Sequence, residues 1–277
     1  MPYAEAADGC RIWYDSAGAG DPLLLVPGQA SDHRMWEEVA PAFSRHHRVL
    51  VFDHRGTGES AAPLSPPYTI ELFARDAIAV LEAAGIRRTH VYGISMGGRI
   101  AQRLAIDHAD RVGAVVLGAT TPGDSHGIAR PPEVDAKFRE VNPEERFRLL
   151  IDELYTPDFQ RAHPEAVEAF RARALLDPRP PDVLRLHYQA SQGHEAWDEL
   201  PSIGVPVLVI HGTDDRVNPT ANARLLAERI PGAELHLLEG ARHDYHVECH
   251  PEATDIVLDF LARHSLAAES ASVQPTR

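Results

Sequence analysis

Short apolar runs alternate along this chain with stretches whose apolar residues recur every three or four positions. The runs at 23–26 (Leu-Leu-Leu-Val), 49–52 (Val-Leu-Val-Phe), 89–92 (Thr-His-Val-Tyr), 112–117 (Val-Gly-Ala-Val-Val-Leu), 205–210 (Val-Pro-Val-Leu-Val-Ile) and 235–238 (Leu-His-Leu-Leu) mostly lack the apolar–polar alternation of a half-exposed strand. They read as strands covered on both faces. Between them, 35–43 with Met35, Trp36, Val39 and Phe43, and 70–84 with Leu72, Phe73, Ala77, Val80 and Leu81, follow a helical period, and Gly85 suits a C-terminal cap. Ile100, Ala101, Leu104 and Ala105 mark a further helix, and 222–230 and 251–263 two more. Strands and helices that alternate in this way predict an α/β fold with a mostly parallel sheet and helices on both faces.

The alternation is interrupted and framed. Near the start, Asp8-Gly9 between two short segments predicts a hairpin, so the sheet opens with antiparallel strands. Between 122 and 200 strand-like runs disappear. Three helices are marked there by Phe147, Leu149, Leu150, Ile151 and Leu154, by Val167, Phe170, Ala174 and Leu175, and by Val183, Leu184, Leu186 and His187. The division that follows is a core of 1–121 and 201–266, a helical lid inserted at 122–200, and a flexible tail at 267–277, the small polar residues beginning at Ser265.

Composition narrows the function. The chain has 277 residues, 44% hydrophobic and 25% charged, within the range of a folded globular protein. A net charge of −14 argues against a nucleic acid or an anionic membrane as partner, since both would be repelled. The two cysteines, Cys10 and Cys249, are too few for a disulfide framework. With no signal-like start and no apolar run near the roughly 20 residues that span a bilayer, the expectation is a cytoplasmic protein.

The chemistry centres on Gly93-Ile94-Ser95-Met96-Gly97, a serine flanked by glycines two residues away on each side, with a strand before it and a helix after it. This is the pattern of a nucleophile elbow, in which a sharp strand-to-helix turn strains the serine backbone and side chains at the glycine positions would collide with each other or with the neighbouring strand. Reacting groups in open α/β sheets lie on loops at the carboxyl ends of strands. Two later loops carry suitable groups: His211-Gly212-Thr213-Asp214-Asp215 after 205–210, and Glu239-Gly240-Ala241-Arg242-His243 after 235–238. Serine, acid and histidine in that chain order form the triad order of this architecture.

On these residues, together with Pro27-Gly28-Gln29 and Asp53-His54-Arg55-Gly56-Thr57-Gly58-Glu59-Ser60, the chain resembles the α/β-hydrolase-fold serine hydrolases. The likeness is to the lid-bearing group that includes enol-lactonases, cofactor-free haloperoxidases and small-molecule esterases. It spans about residues 8–263 except the lid. The resemblance implies Ser95 as nucleophile, His243 as general base and acid, and Asp215 rather than Asp214 as the orienting acid, because the family's acid usually falls three residues after the loop glycine. It also implies oxyanion donors from the backbone N–H groups of Gln29 and Met96, and no cofactor. The first loop begins Pro-Gly where His-Gly is commoner, and Arg242 stands where a glycine commonly precedes the histidine.

The expected activity is cleavage of a small-molecule carboxylic ester or lactone through an acyl-serine. Perhydrolase or haloperoxidase chemistry, a thioesterase, and a non-hydrolytic receptor or lyase-like protein on the same scaffold are the alternatives. A serine nucleophile argues against dehalogenase and epoxide hydrolase chemistry, and a single loop glycine against esters of bulky tertiary alcohols. Trp36 and Trp197 are candidates for the substrate pocket, as is Met35. The segment 53–60 reads as structural, with Asp53 and Arg55 placed to pair. His243, His246, His250 and Cys249 lack a metal-site signature, so no metal is expected, and His246 and His250 read as an exposed or pocket-edge pair. Arg130 and Arg173 read as solvated lid residues, with the grip of an acidic substrate as the alternative for each. Oligomeric state is not legible.

Overall fold

A computed structural model describes residues 2–266 apart from 66, 141, 177 and 178. The expected tail at 267–277 lies outside the described residues. The hairpin strands are β1 (Tyr3–Glu5) and β2 (Arg11–Ala17), paired antiparallel around Asp8-Gly9, where Gly9 takes φ 79°. There follow β3 (Pro22–Val26), a 3-10 turn at His33–Trp36, α1 (Ala40–Phe43), β4 (Arg48–Phe52), α2 (Ile70–Ala83), β5 (Thr89–Ile94), α3 (Met96–Asp107) and β6 (Val112–Gly118). Five helices come next: α4 (Pro132–Phe138), α5 (Pro143–Leu154), α6 (Pro157–Ala162), α7 (Pro164–Leu176) and α8 (Pro181–Gln192). The chain then returns through β7 (Val207–Gly212), α9 (Ala221–Arg229), β8 (Glu234–Leu238), α10 (Tyr245–Glu248) and α11 (Glu252–Ala262).

The strands form one sheet in the order β1-β2-β4-β3-β5-β6-β7-β8. From β4 to β8 every neighbouring pair is parallel, as the unbroken apolar runs require. Alternate side chains of one strand feed different cores. Leu24 and Val26 of β3 pack with Phe73 of α2 and Ile100 of α3 on one face, whereas Leu23 and Leu25 pack with Phe43 of α1 and Phe260 of α11 on the other. A third cluster, with Val134, Leu150, Leu154 and Tyr155, belongs to the helical segment and reaches the core through Val217 and Val247.

Three expectations change. The helix expected over 35–43 is divided into a 3-10 turn, capped by the Asp32 carboxylate at the Arg34 N–H, and a new helix with Pro41 in its first turn. Proline disfavours helical geometry in the residue before it. Among its described residues the segment 122–200 holds five helices rather than three, each with a proline as its first residue, a position where the missing N–H is no loss. At the other end, Ser265 is not loose: its hydroxyl and the Leu266 N–H donate to the Asp21 carboxylate at 2.7 and 2.8 Å. Among the described residues no helix is long and apolar enough to cross a membrane.

Candidate active site

Strand β5 delivers Ser95 to its carboxyl end in a conformation that few non-glycine residues adopt, φ 58° and ψ −118°. The flanking glycines are obligatory. A Cβ on Gly93 would stand 2.1 Å from the Gly97 carbonyl oxygen, and one on Gly97 2.1 Å from the Val26 carbonyl oxygen of β3. The turn is held by the Ser95 N–H donating to Gly118 O (2.9 Å) and by Thr120 Oγ1 donating to Ser95 O (2.7 Å). Ser95 occupies the N-cap of α3, yet its hydroxyl makes no capping bond and stays available. Met96 opens that helix, so its N–H has no intrahelical acceptor and lies at the positive end of the dipole.

The acid and the histidine come from the ends of β7 and β8. Asp215 is buried whereas Asp214 is exposed. His243 Nδ1 donates to Asp215 Oδ2 at 2.8 Å, which places the ring proton on Nδ1 and leaves Nε2 of the neutral ring as an acceptor. The other carboxylate oxygen accepts from the N–H groups of Val217 (2.8 Å) and Asn218 (2.9 Å). A second imidazole, His211 at the end of β7, puts Nε2 3.0 Å from Asp215 Oδ2 and 2.7 Å from Asn218 O. Burial alone would raise the Asp215 carboxyl, but His243 and His211 hold it well below the usual carboxylate range. Arg242 does not crowd the His243 ring: its guanidinium donates to the carbonyls of Asp152 and Tyr155 at the end of α5, tying the histidine loop to the helical segment.

Ser95 and His243 line one cavity of about 190 Å³ together with Gly28 and Gln29. Gly28 brings the first loop beside the serine, since a Cβ there would meet Ser95 Cβ at 3.7 Å. Ala30, at φ 56°, is held by donating its N–H to Nδ1 of His187 on α8 (3.2 Å), whose Nε2 in turn donates to Arg55 O (2.9 Å). Burial pushes His187 down to about 3, so this bridge is a neutral imidazole with one acceptor and one donor nitrogen. The helical segment closes the cavity with Phe138, Phe147, Leu150, Leu154 and Phe170, and contributes Arg146, Arg173 and Arg179. Arg179 pairs with Asp32.

Several residues stand elsewhere than sequence reasoning placed them. Trp36 is fully buried against Tyr92 and His246, with ring centroids 5.0 and 5.4 Å away, and Trp197 is stacked on His126; neither lines the cavity, whereas Met35 does. Asp53 and Arg55 do not pair with each other. Asp53 accepts from the His33 ring (2.7 Å) and from the Glu59 N–H (2.8 Å), and Arg55 reaches Asp76 (2.6 Å) and Asp8 (2.8 Å). His246 is a buried cavity residue, but His250 is exposed and bonded to Thr254. Among the described residues the group of possible metal ligands that gathers within 4.8 Å is instead Asp32, His33 and Asp53, and Arg34 and Arg179 already occupy Asp32. Arg173 lines the cavity and Arg130 is mostly buried, so neither is simply a solvated lid residue. His211 and His187 escaped sequence reading. For His211 the signal was a histidine directly before the glycine of the acid loop, while His187 showed only as one of the positions marking a helix.

Comparison with known proteins places this geometry in context. A family model described as the alpha/beta hydrolase fold matches residues 21–248. The chain is 31% identical over 254 residues to a protein of Caulobacter sp. (strain K31) named "Putative carbamate hydrolase RutD", covering 87% of this chain and 90% of that one. It is similar in structure to the enol-lactonase from Burkholderia xenovorans LB400, with a TM-score of 0.84, 30% identity and coverage of 94% and 100% of the two chains. It is also similar to Est816, described as an N-acyl homoserine lactone degrading enzyme, with a TM-score of 0.80, 31% identity and coverage of 93% and 99%. The matched model spans most of the sequence, and the chain belongs to the α/β-hydrolase fold family.

Proposed function

We propose that this hydrolase acts on a small carboxylic ester or lactone through an acyl-Ser95 intermediate. The observation that carries the reading is a strained, uncapped serine at a strand end, opening on the same cavity as a histidine whose Nδ1 proton is committed to a buried aspartate. In this mechanism His243 Nε2 takes the Ser95 hydroxyl proton as Oγ attacks the substrate carbonyl, and Asp215 holds the ring and stabilises its cation. The proton then passes to the leaving alkoxide. Water, deprotonated by the same nitrogen, releases the acid and restores Ser95. The N–H groups of Gln29 and Met96 are assigned to the oxyanion, each worth about 2.7–4 kcal/mol in comparable sites. The segment 122–200 is assigned as a lid, which supplies the apolar wall that excludes water during acylation.

A cavity of about 190 Å³ favours a substrate below drug size, consistent with short acyl chains or small lactone rings. Because a relative is named as a carbamate hydrolase, a carbamate belongs among the trial substrates. The test is intact-mass analysis with a fluorophosphonate probe, followed by turnover of short aryl esters, lactones and an N-unsubstituted carbamate. One covalent adduct on the wild-type chain, none on Ser95→Ala, and steady turnover of an ester or lactone are expected. No adduct on the folded protein would remove the acyl-serine mechanism. Turnover confined to the carbamate would keep the mechanism and replace the substrate class.

A further inference from the structure

A second cavity, of about 410 Å³, lies between the core and helices α4 and α8 and shares no lining residue with the first. Its walls include Arg99 of α3, Thr121 after β6, Arg130 ahead of α4, Tyr188 of α8 and Asn218 after β7. Three donors in these walls have no acceptor among the described residues: Arg99 Nε, Arg130 Nη1 and Thr121 Oγ1. Arg99 is only 3% exposed and Thr121 5%. The acceptors that Arg99 does find are neutral, the carbonyl and hydroxyl of Ser191.

Arg130 lies over the Phe138 ring at 4.4 Å. The carboxylate within its reach, Asp135 at 3.9 Å, is already engaged by Arg139 at 2.5 Å and by the Tyr188 hydroxyl at 3.0 Å. Burial pushes Arg99 down to about 10 and the neighbouring charge of Arg130 pushes the same way, against a smaller opposing effect of the Asp124 carboxylate, which also lines the cavity. Among the described residues three guanidiniums, Arg99, Arg130 and Arg139, line the cavity against two carboxylates, Asp124 and Asp135. The near-buried Arg99 and Arg130 are therefore under-compensated and costly unless a further anion joins them.

We propose that this second cavity binds a small organic carboxylate, whose oxygens accept from Arg99 Nε, Arg130 Nη1 and Thr121 Oγ1. An organic anion fits better than an inorganic one. A volume of about 410 Å³ is many times that of a single water, roughly 30 Å³, and Ile128 and Pro132 offer apolar wall to a carbon body. The position is suited to an effector. Arg130 packs on Phe138, which lines the cavity of Ser95, and the Asn218 N–H donates to Asp215.

Binding is read without turnover, so the outcome is independent of the hydrolase mechanism. The full chain is titrated with sodium acetate, malonate and benzoate, and separately with phosphate, against sodium chloride at matched ionic strength, and thermal unfolding is followed. At least one carboxylate should give a saturable rise in Tm, roughly 5 °C at one hundred times its Kd. Arg99 also ties α3 to α8, so its replacement confounds binding with folding. Arg130→Gln and Thr121→Val leave that tie in place and should abolish the rise, whereas Arg173→Gln, in the first cavity, should retain it. No saturable rise with any of the three carboxylates, a rise matched by phosphate or chloride, or a rise that survives Arg130→Gln overturns the proposal.

Discussion

Acid should destabilise this protein through its buried imidazoles, and His187 isolates the effect. Burial pushes His54 and His90 down to about 4 and His187 to about 3, from an ordinary value of 6.5. Each is 0% exposed. Because the folded value lies below the unfolded one, the unfolded chain binds more protons as pH drops below 6.5. The stability contribution is therefore complete above 6.5 and is lost as pH falls toward 3–4. Between pH 7.5 and 5.0 one such group costs about 2 kcal/mol, and the three together about 6 kcal/mol, comparable with the whole stability of many domains. His33, which is raised despite the opposing effect of burial because Asp53 bonds its ring, returns part of that. The assay is urea unfolding at pH 7.5, 6.5, 5.5 and 5.0 on the wild type and on His187→Gln. Glutamine can accept from the Ala30 N–H and donate to Arg55 O as the imidazole does, but it does not titrate. The variant should lose about 2 kcal/mol less than the wild type over this range, whatever its stability at pH 7.5. Equal losses in the two proteins, or a wild type whose stability at pH 5.0 is within about 1 kcal/mol of its value at pH 7.5, would refute the argument.

Three further outcomes follow from single contacts. If Asp215 orients His243, Asp215→Asn should lower kcat by about 10³- to 10⁴-fold through the wrong ring tautomer. Asp214→Asn, on an exposed side chain, should change it less than about threefold, and ester kinetics showing the reverse ranking would move the acid by one residue. Gly97→Ala drives a Cβ to 2.1 Å from the Val26 carbonyl oxygen and should cost about 3 kcal/mol or more in urea unfolding; a near-neutral result would mean that the turn is not as tight as described. Arg55→Met leaves Asp76 buried without its cation and should destabilise by about 3–5 kcal/mol, with most of the loss recovered when Asp76→Leu is added. Failure of the second change to rescue would show that the arginine's packing, not its charge, holds the loop.

Much of the fold was legible because the rules that write it are short-ranged. The helix expected over 70–84 is α2 (Ile70–Ala83), and the helix expected over 251–263 contains α11 (Glu252–Ala262). The strand expected over 205–210 begins two residues later at Val207, because Pro206 has no N–H to give the ladder and takes part only as an acceptor, from the Val115 N–H. Helices α4 and α6 were missed, as only seven and six residues carry too few turns for a period to show. Their initial prolines were the available signal. At the site, the glycines around Ser95 were readable because the pattern itself spans five residues, although only the demand at Gly93 is local and the space at Gly97 is set by the Val26 carbonyl of a neighbouring strand.

The sequence by itself determined the order of elements, the strained serine turn and the loops that carry an acid and a histidine, since apolar period and backbone sterics act over a few residues. Only the tertiary structure decided which partners meet. It set His211 against Asp215, gave Asp53 to His33 and Arg55 to Asp76, buried Trp36 away from the cavity, and used His187 of the helical segment to hold the loop of Gln29. Most of those choices join segments 20 to 157 residues apart or turn on the orientation of one side chain at a packed boundary, whereas His211 and Asp215, four residues apart, meet through the fold of one buried loop. The long, polar and aromatic side chains that make them each have several acceptable partners within reach. Which one is taken depends on where the sheet and the helices bring distant backbone together, and no local pattern records that.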